Sequence, residues 1–172
     1  PLMLTVEETE AIVLALALLE RTGDRELRQA AKQVNRKIAA AVPPPLSATF
    51  SANALHAWGS AAPVPEAVDF AMVRRAIRDE QTLSLDYRDE LGRSTERVIR
   101  PIALIYYSQT ANIVGWCELR QAFRNFRADR VEDCAPADGF FTGQGDALRR
   151  LWVEGWQTDA GRGTGQSPGD AT

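Results

Sequence analysis

The apolar residues of this chain change their spacing near residue 82, and that change limits what each half can fold into. Before it the spacing is helical. Ile12, Leu16 and Leu19 recur at i, i+4 and i+7, with Val13 beside them. Thr5, with Glu8 three residues on, forms a capping box, so a helix is predicted over 5–21, stopping near Gly23. Asp24 caps a second helix, whose Leu27, Ala31, Val34 and Ile38 share one face. This hairpin ends at Pro43-Pro44-Pro45. Residues 43–67, rich in Pro, Ala and Ser, read as an extended linker with a short strand near Ser47–Leu55. Asp69 then caps a short helix, 70–80, with Phe70, Val73 and Ile77 on its apolar face.

From residue 82 the period is two. Leu83, Leu85 and Tyr87 alternate with Ser84, Asp86 and Arg88, the pattern of a half-buried strand. Asp89-Glu90-Leu91-Gly92 is a turn, with Gly92 supplying a positive φ. Arg93–Leu104 returns, and Pro101 within it demands an edge, a bulge or a bend. Asn112–Leu119 and Ala122–Ala128 make further strands, with a fifth through Val131–Pro136. Strands in this order with short turns predict a small, strongly bent antiparallel sheet or barrel. A helix over about 146–156 follows, and a Gly-, Thr- and Ser-rich tail from Asp159 is predicted to be disordered. The class is α+β. Its parts are a helical segment and linker (1–67), a β domain (68–158) and a tail (159–172).

Several functions are excluded by what the chain lacks. The longest apolar run, Ala11–Leu19, is shorter than the roughly 20 residues of a spanning helix, and no basic segment precedes it as in a signal peptide. Membrane partners are therefore not expected. Cys117 and Cys134 make neither a disulfide framework nor a zinc site, and His56 is the sole histidine. There is no Gly-rich phosphate loop, no metal-ligand cluster and no nucleophile with an adjacent base. Catalysis and a bound cofactor are not expected.

Charge is unevenly spread. Between Leu91 and Val131 stand seven arginines (Arg93, Arg97, Arg100, Arg120, Arg124, Arg127, Arg130) against three acids, inside a chain of net charge −3. Arginines from several strands converging on one face would bind an anion, and Tyr107, Trp116, Phe123 and Phe126 could add stacking. The alternative is ion pairing with Glu96, Glu118, Asp129 and Asp133. On a regular strand Arg124 and Arg127 face opposite sides, which assigns Arg127, beside Asp129, the structural role.

The stretch Asp69–Val131 resembles the WYL domain of bacterial transcription regulators. Tyr87, Gly92, Arg93, Arg97 and Pro101 match its first hairpin. Trp116, Cys117, Arg120, Arg124, Phe126, Arg127, Asp129 and Arg130 match its later strands. The opening PLMLTVEETEAIVLALALL resembles the helical segment that follows a winged helix-turn-helix in such regulators. Where the family carries Trp-Tyr-Leu, this chain has Ala111-Asn112-Ile113, with Tyr106 and Tyr107 nearby as substitutes. The resemblance implies a five-stranded Sm-like, SH3-type barrel and a cytoplasmic, ligand-sensing role. It also implies operator DNA read by a helix-turn-helix ahead of Pro1, and a homodimer, which the alanine-rich faces of the first two helices suit. The implied effector is anionic, a nucleotide or single-stranded nucleic acid, held by Arg97, Arg100, Tyr107, Trp116, Arg120, Arg124, Phe126, Arg127 and Arg130. A free-standing Sm-like nucleic-acid-binding module is the alternative.

Overall fold

The computed structural model of the chain describes residues 3–43 and 61–160, with side chains as far as residue 155. The predicted strand near Ser47–Leu55 and the chain after 160 lie outside the described residues. The chain divides into two compact units, Pro1–Val64 and Pro65–Thr172.

The first unit holds α1 (Val6–Leu19) and α2 (Arg25–Ala41). The capping box forms: Glu8 N–H donates to Thr5 Oγ1 at 3.2 Å, and Thr5 N–H to Glu8 Oε2 at 2.8 Å. Asp24 caps α2 by accepting from Leu27 N–H at 3.0 Å. Because α1 is apolar on nearly every side, much of that surface stays exposed, with Val6 at 52%, Leu14 at 40% and Leu18 at 50%.

The second unit begins with α3 (Phe70–Asp79), capped by Asp69. Five antiparallel strands follow: β1 (Gln81–Arg88), β2 (Ser94–Tyr106), β3 (Ala111–Cys117), β4 (Ala122–Arg127) and β5 (Val131–Phe140), ordered β4-β3-β2-β1-β5. A short 3-10 turn, Ala128–Arg130, joins β4 to β5, and α4 (Gly145–Ala160) closes the described chain. α4 therefore continues through Asp159 and Ala160, which the sequence assigned to the tail.

Alternation sets the two faces. Leu83, Leu85, Ile99, Ile113 and Cys117 are wholly buried on one face, where they join Phe70, Val73 and Ala76 of α3 in a single core. Asp86 and Arg88 point the other way and are exposed. The β1–β2 turn is clasped by Asp89, whose carboxylate accepts from the N–H groups of Leu91 and Arg93, both at 2.9 Å, while Gly92 takes φ +76°. These bonds, that from Arg93 first, hold the Asp89 carboxyl below the usual carboxylate range.

Pro101 lies in a central strand and is accommodated by a bulge. The β1 ladder ends at Ile99, and the β2–β3 register shifts between Pro101 and Ala103. Opposite it, Gly115 has no room for a side chain: a Cβ there would stand 2.9 Å from the Arg100 carbonyl oxygen and 3.2 Å from Ile99 Cδ1. The sheet curls strongly. Tyr87 of β1 and Phe126 of β4, with two strands between them in the order, meet edge-to-face with centroids 5.2 Å apart. The ladder nonetheless stays open, with β4 and β5 as its two edges: of the bent sheet or barrel that the strand pattern predicts, this is the bent sheet, and the barrel that the resemblance implies is not closed. β5 follows the 3-10 turn and pairs with β1.

Candidate functional site

The strand register divides the predicted arginine face in two. Arg97 pairs with Leu85, Arg124 with Gly115, and Phe126 with Ile113, so these three share the concave, core-lining face with Tyr87 and Thr95. Arg100 and Trp116 pair on the opposite face, where Trp116 packs edge-to-face on Phe123 at 5.2 Å. Arg127, paired with Asn112, also lies on that opposite face. Arg120 is exposed on the β3–β4 turn. Tyr107, 43% exposed, stands just past the end of β2, at the far end of β3 from Arg120, about 20 Å away along the strand.

Ion pairing claims part of the set. Arg100 Nε donates to Glu118 Oε1 at 2.6 Å. Arg127 forks onto both oxygens of Asp129, at 3.1 and 2.8 Å, which pulls that carboxyl below its usual range. Arg130 donates to Glu90 at 3.0 Å, and that bond raises its already high pKa further. All three pairs are partly exposed, where such contacts contribute little to stability.

Arg97 is different. It is 8% exposed, and its Nε donates to Thr95 Oγ1 at 3.1 Å. Its Nη1 is buried and has no hydrogen-bond partner among the described residues. No Asp or Glu occupies any paired position on the concave face of the five strands. That face therefore presents Arg97 with no carboxylate in register beside it. A buried guanidinium with an unmatched donor is costly, and an anionic oxygen would relieve that cost. Tyr87 and Phe126 supply the apolar wall. The sequence pattern held the signal for Arg97, which is in phase with Ile99 and the strand's buried side. Thr95 stands in the same phase and carries the same signal.

The cysteines offer no chemistry. Cys117 is wholly buried. Burial, then the nearby carboxylates of Asp133 and Asp69, push the Cys134 thiol up to about 12. Both thiols are expected to react with a disulfide reagent only after unfolding, and a fast native reaction would contradict this packing. Among the described residues no three His, Cys, Asp or Glu side chains gather as a metal site, and no helix is long and apolar enough to cross a membrane.

Comparison with known proteins covers the same region. The chain is 32% identical over 139 residues to protein PafC of Mycobacterium tuberculosis, in strains CDC 1551 / Oshkosh and H37Rv, across 78% of this chain and 40% of the relative. It is 31% identical over 140 residues to protein PafC of Mycobacterium leprae strain TN, across 76% of this chain and 40% of that protein. The chain thus spans about two-fifths of the length of the curated relatives it matches. Among solved structures it resembles proteasome accessory factor B/C (PafBC) of Arthrobacter aurescens, with 25% identity, a TM-score of 0.43, and coverage of 85% of this chain and 22% of that one. Residues 69–136, from the cap of α3 into β5, match the WYL domain family, and the chain carries a WYL domain there.

Proposed function

We propose that this chain is the ligand-sensing and dimerisation part of a cytoplasmic transcription regulator, with an Sm-like WYL domain that binds an anionic effector. The observation that carries the reading is Arg97, buried on an acid-free concave face with an unmatched donor. The effector is a nucleotide or a single-stranded nucleic acid, whose phosphate Arg97 and Arg124 hold and whose base stacks on aromatic groups. Arg100, Arg127 and Arg130, already neutralised by carboxylates, serve as rim charges. The exposed apolar residues of α1, together with Val34 of α2 at 40%, support a homodimer through the first unit. Operator DNA is read by a helix-turn-helix elsewhere in the full protein, and the effector acts by favouring one dimer geometry. A free-standing Sm-like nucleic-acid module is the second reading, favoured by the same basic window.

Fluorescence anisotropy of a labelled, short single-stranded oligothymidylate across a salt series tests the effector. Micromolar or tighter binding is expected, weakening with salt at a slope of about −0.7 per phosphate neutralised. No binding at low salt, to this probe or to free nucleotides, would sink the anionic-effector reading.

A further inference from the structure

The segment leading into α4 carries a set of polar contacts, three of which go to one residue. Glu80 ends α3 in the left-handed conformation, φ +53°, where a non-glycine residue is strained. That turn aims its groups at residues 141–145. The Glu80 carbonyl accepts from Phe141 N–H at 2.8 Å. Its carboxylate accepts from Gly143 N–H, and from Gly145 N–H at 2.9 Å, at the start of α4. A Cβ on Gly145 would stand 2.5 Å from Glu80 Oε1, so glycine is required for this approach. Phe141, 2% exposed, is the apolar anchor just before the latch.

A second tie reaches α4 from the candidate site. The β3–β4 turn, which carries Arg120, sits against the Arg97 strand through Glu118 N–H donating to the Val98 carbonyl at 3.0 Å. The Glu118 carboxylate takes Arg100 Nε, and Arg100 Nη1 donates to Gln144 Oε1 at 2.8 Å. Arg149 of α4 returns to the sheet by donating to the Ile102 carbonyl at 3.4 Å. Arg100 thus bridges the turn beside Arg97 and the residue that precedes α4.

We propose that α4 is a strap that undocks as a unit, latched by Glu80 and coupled to effector binding through Arg100. A further phosphate of the same strand, meeting Arg120 on the turn, draws Arg100 from Gln144, because a doubly accepting anion outcompetes a neutral amide for a guanidinium. The start of α4 then loosens, and the α4 surface becomes the output of the sensor. The coupling rests on the anionic-effector reading; the latch does not.

Hydrogen exchange on the full chain, read in peptides covering 143–155, tests both. Glu80→Gln keeps the shape but removes the charge and one acceptor. It is expected to speed exchange there roughly tenfold while amides of β1 and β2 keep their protection. Unchanged exchange in 143–155 would overturn the latch, and loss of protection throughout would show that Glu80 serves the whole fold instead. In the unaltered protein, saturating oligothymidylate is expected to speed exchange in the same peptides several-fold. In Arg100→Met those peptides start fast and do not respond. If the probe binds and the peptides of the unaltered protein stay unmoved, the relay is wrong and the effector reading survives. If the probe does not bind, both fall, and the latch is judged on Glu80→Gln alone.

Discussion

Arg97→Met is expected to make the protein more stable and to make it unable to hold its effector. The two effects have one cause. Arg97 sits on the buried face with a donor that nothing answers, which costs about 1–3 kcal/mol in the unliganded fold. Methionine has similar length and no polar atoms, and replacing a buried ion with a fitting apolar side chain often stabilises. The thermal midpoint should rise by roughly 2–4 °C for each kcal/mol recovered. Oligothymidylate binding should weaken at least about 30-fold, since truncating one side of a buried charged contact costs roughly 2–5 kcal/mol. Melting curves and anisotropy on one preparation give both numbers. A variant that melts lower and still binds would mean the guanidinium is a structural group already satisfied in the fold.

Leu83→Ala is expected to cost about 2–5 kcal/mol, a large share of the ~5–15 kcal/mol available to a domain. Leu83 is wholly buried and pairs with the equally buried Ile99, at the centre of the face that α3 covers. Urea titration followed by tryptophan fluorescence should show the midpoint falling by about 1 M or more. Leu151→Ala, on the outside of α4 at 56% exposure, serves as control and should stay within about 0.5 kcal/mol. Equal effects from the two substitutions would place the core elsewhere.

Local chemistry was readable from the residues alone. Thr5 with Glu8, Asp24 and Asp69 each announced a helix start, and each caps one in the fold. The alternation from Leu83 to Tyr87 named a strand and its buried side, and Pro101 announced an irregularity that is the β2–β3 bulge. Closure was not readable. The last strand joins the first, a long-range pairing that no local residue pattern marks. The arginine set was readable as a concentration of charge but not as a surface. Register assigns a face only when each strand's phase is fixed against its neighbour, and a bulge resets that phase. Arg97 and Arg100, three residues apart and both ahead of the β2 bulge, belong to different faces by alternation alone. The latch at Glu80 was invisible, since it joins residues 63 to 65 positions apart.

The absence of carboxylates and imidazoles from the concave face has a consequence for the cell's chemistry. Guanidinium groups keep their charge at every pH that a living cell reaches, and a phosphodiester keeps its own. Beside Arg97 and Arg124, the paired positions of that face carry the phenols of Tyr87 and Tyr106 and the thiols of Cys117 and Cys134, and no Asp, Glu or His. Toward a phosphodiester such a sensor would be deaf to acidification. It would register how much effector is present, and how much salt competes with it, through the same reading at every physiological pH.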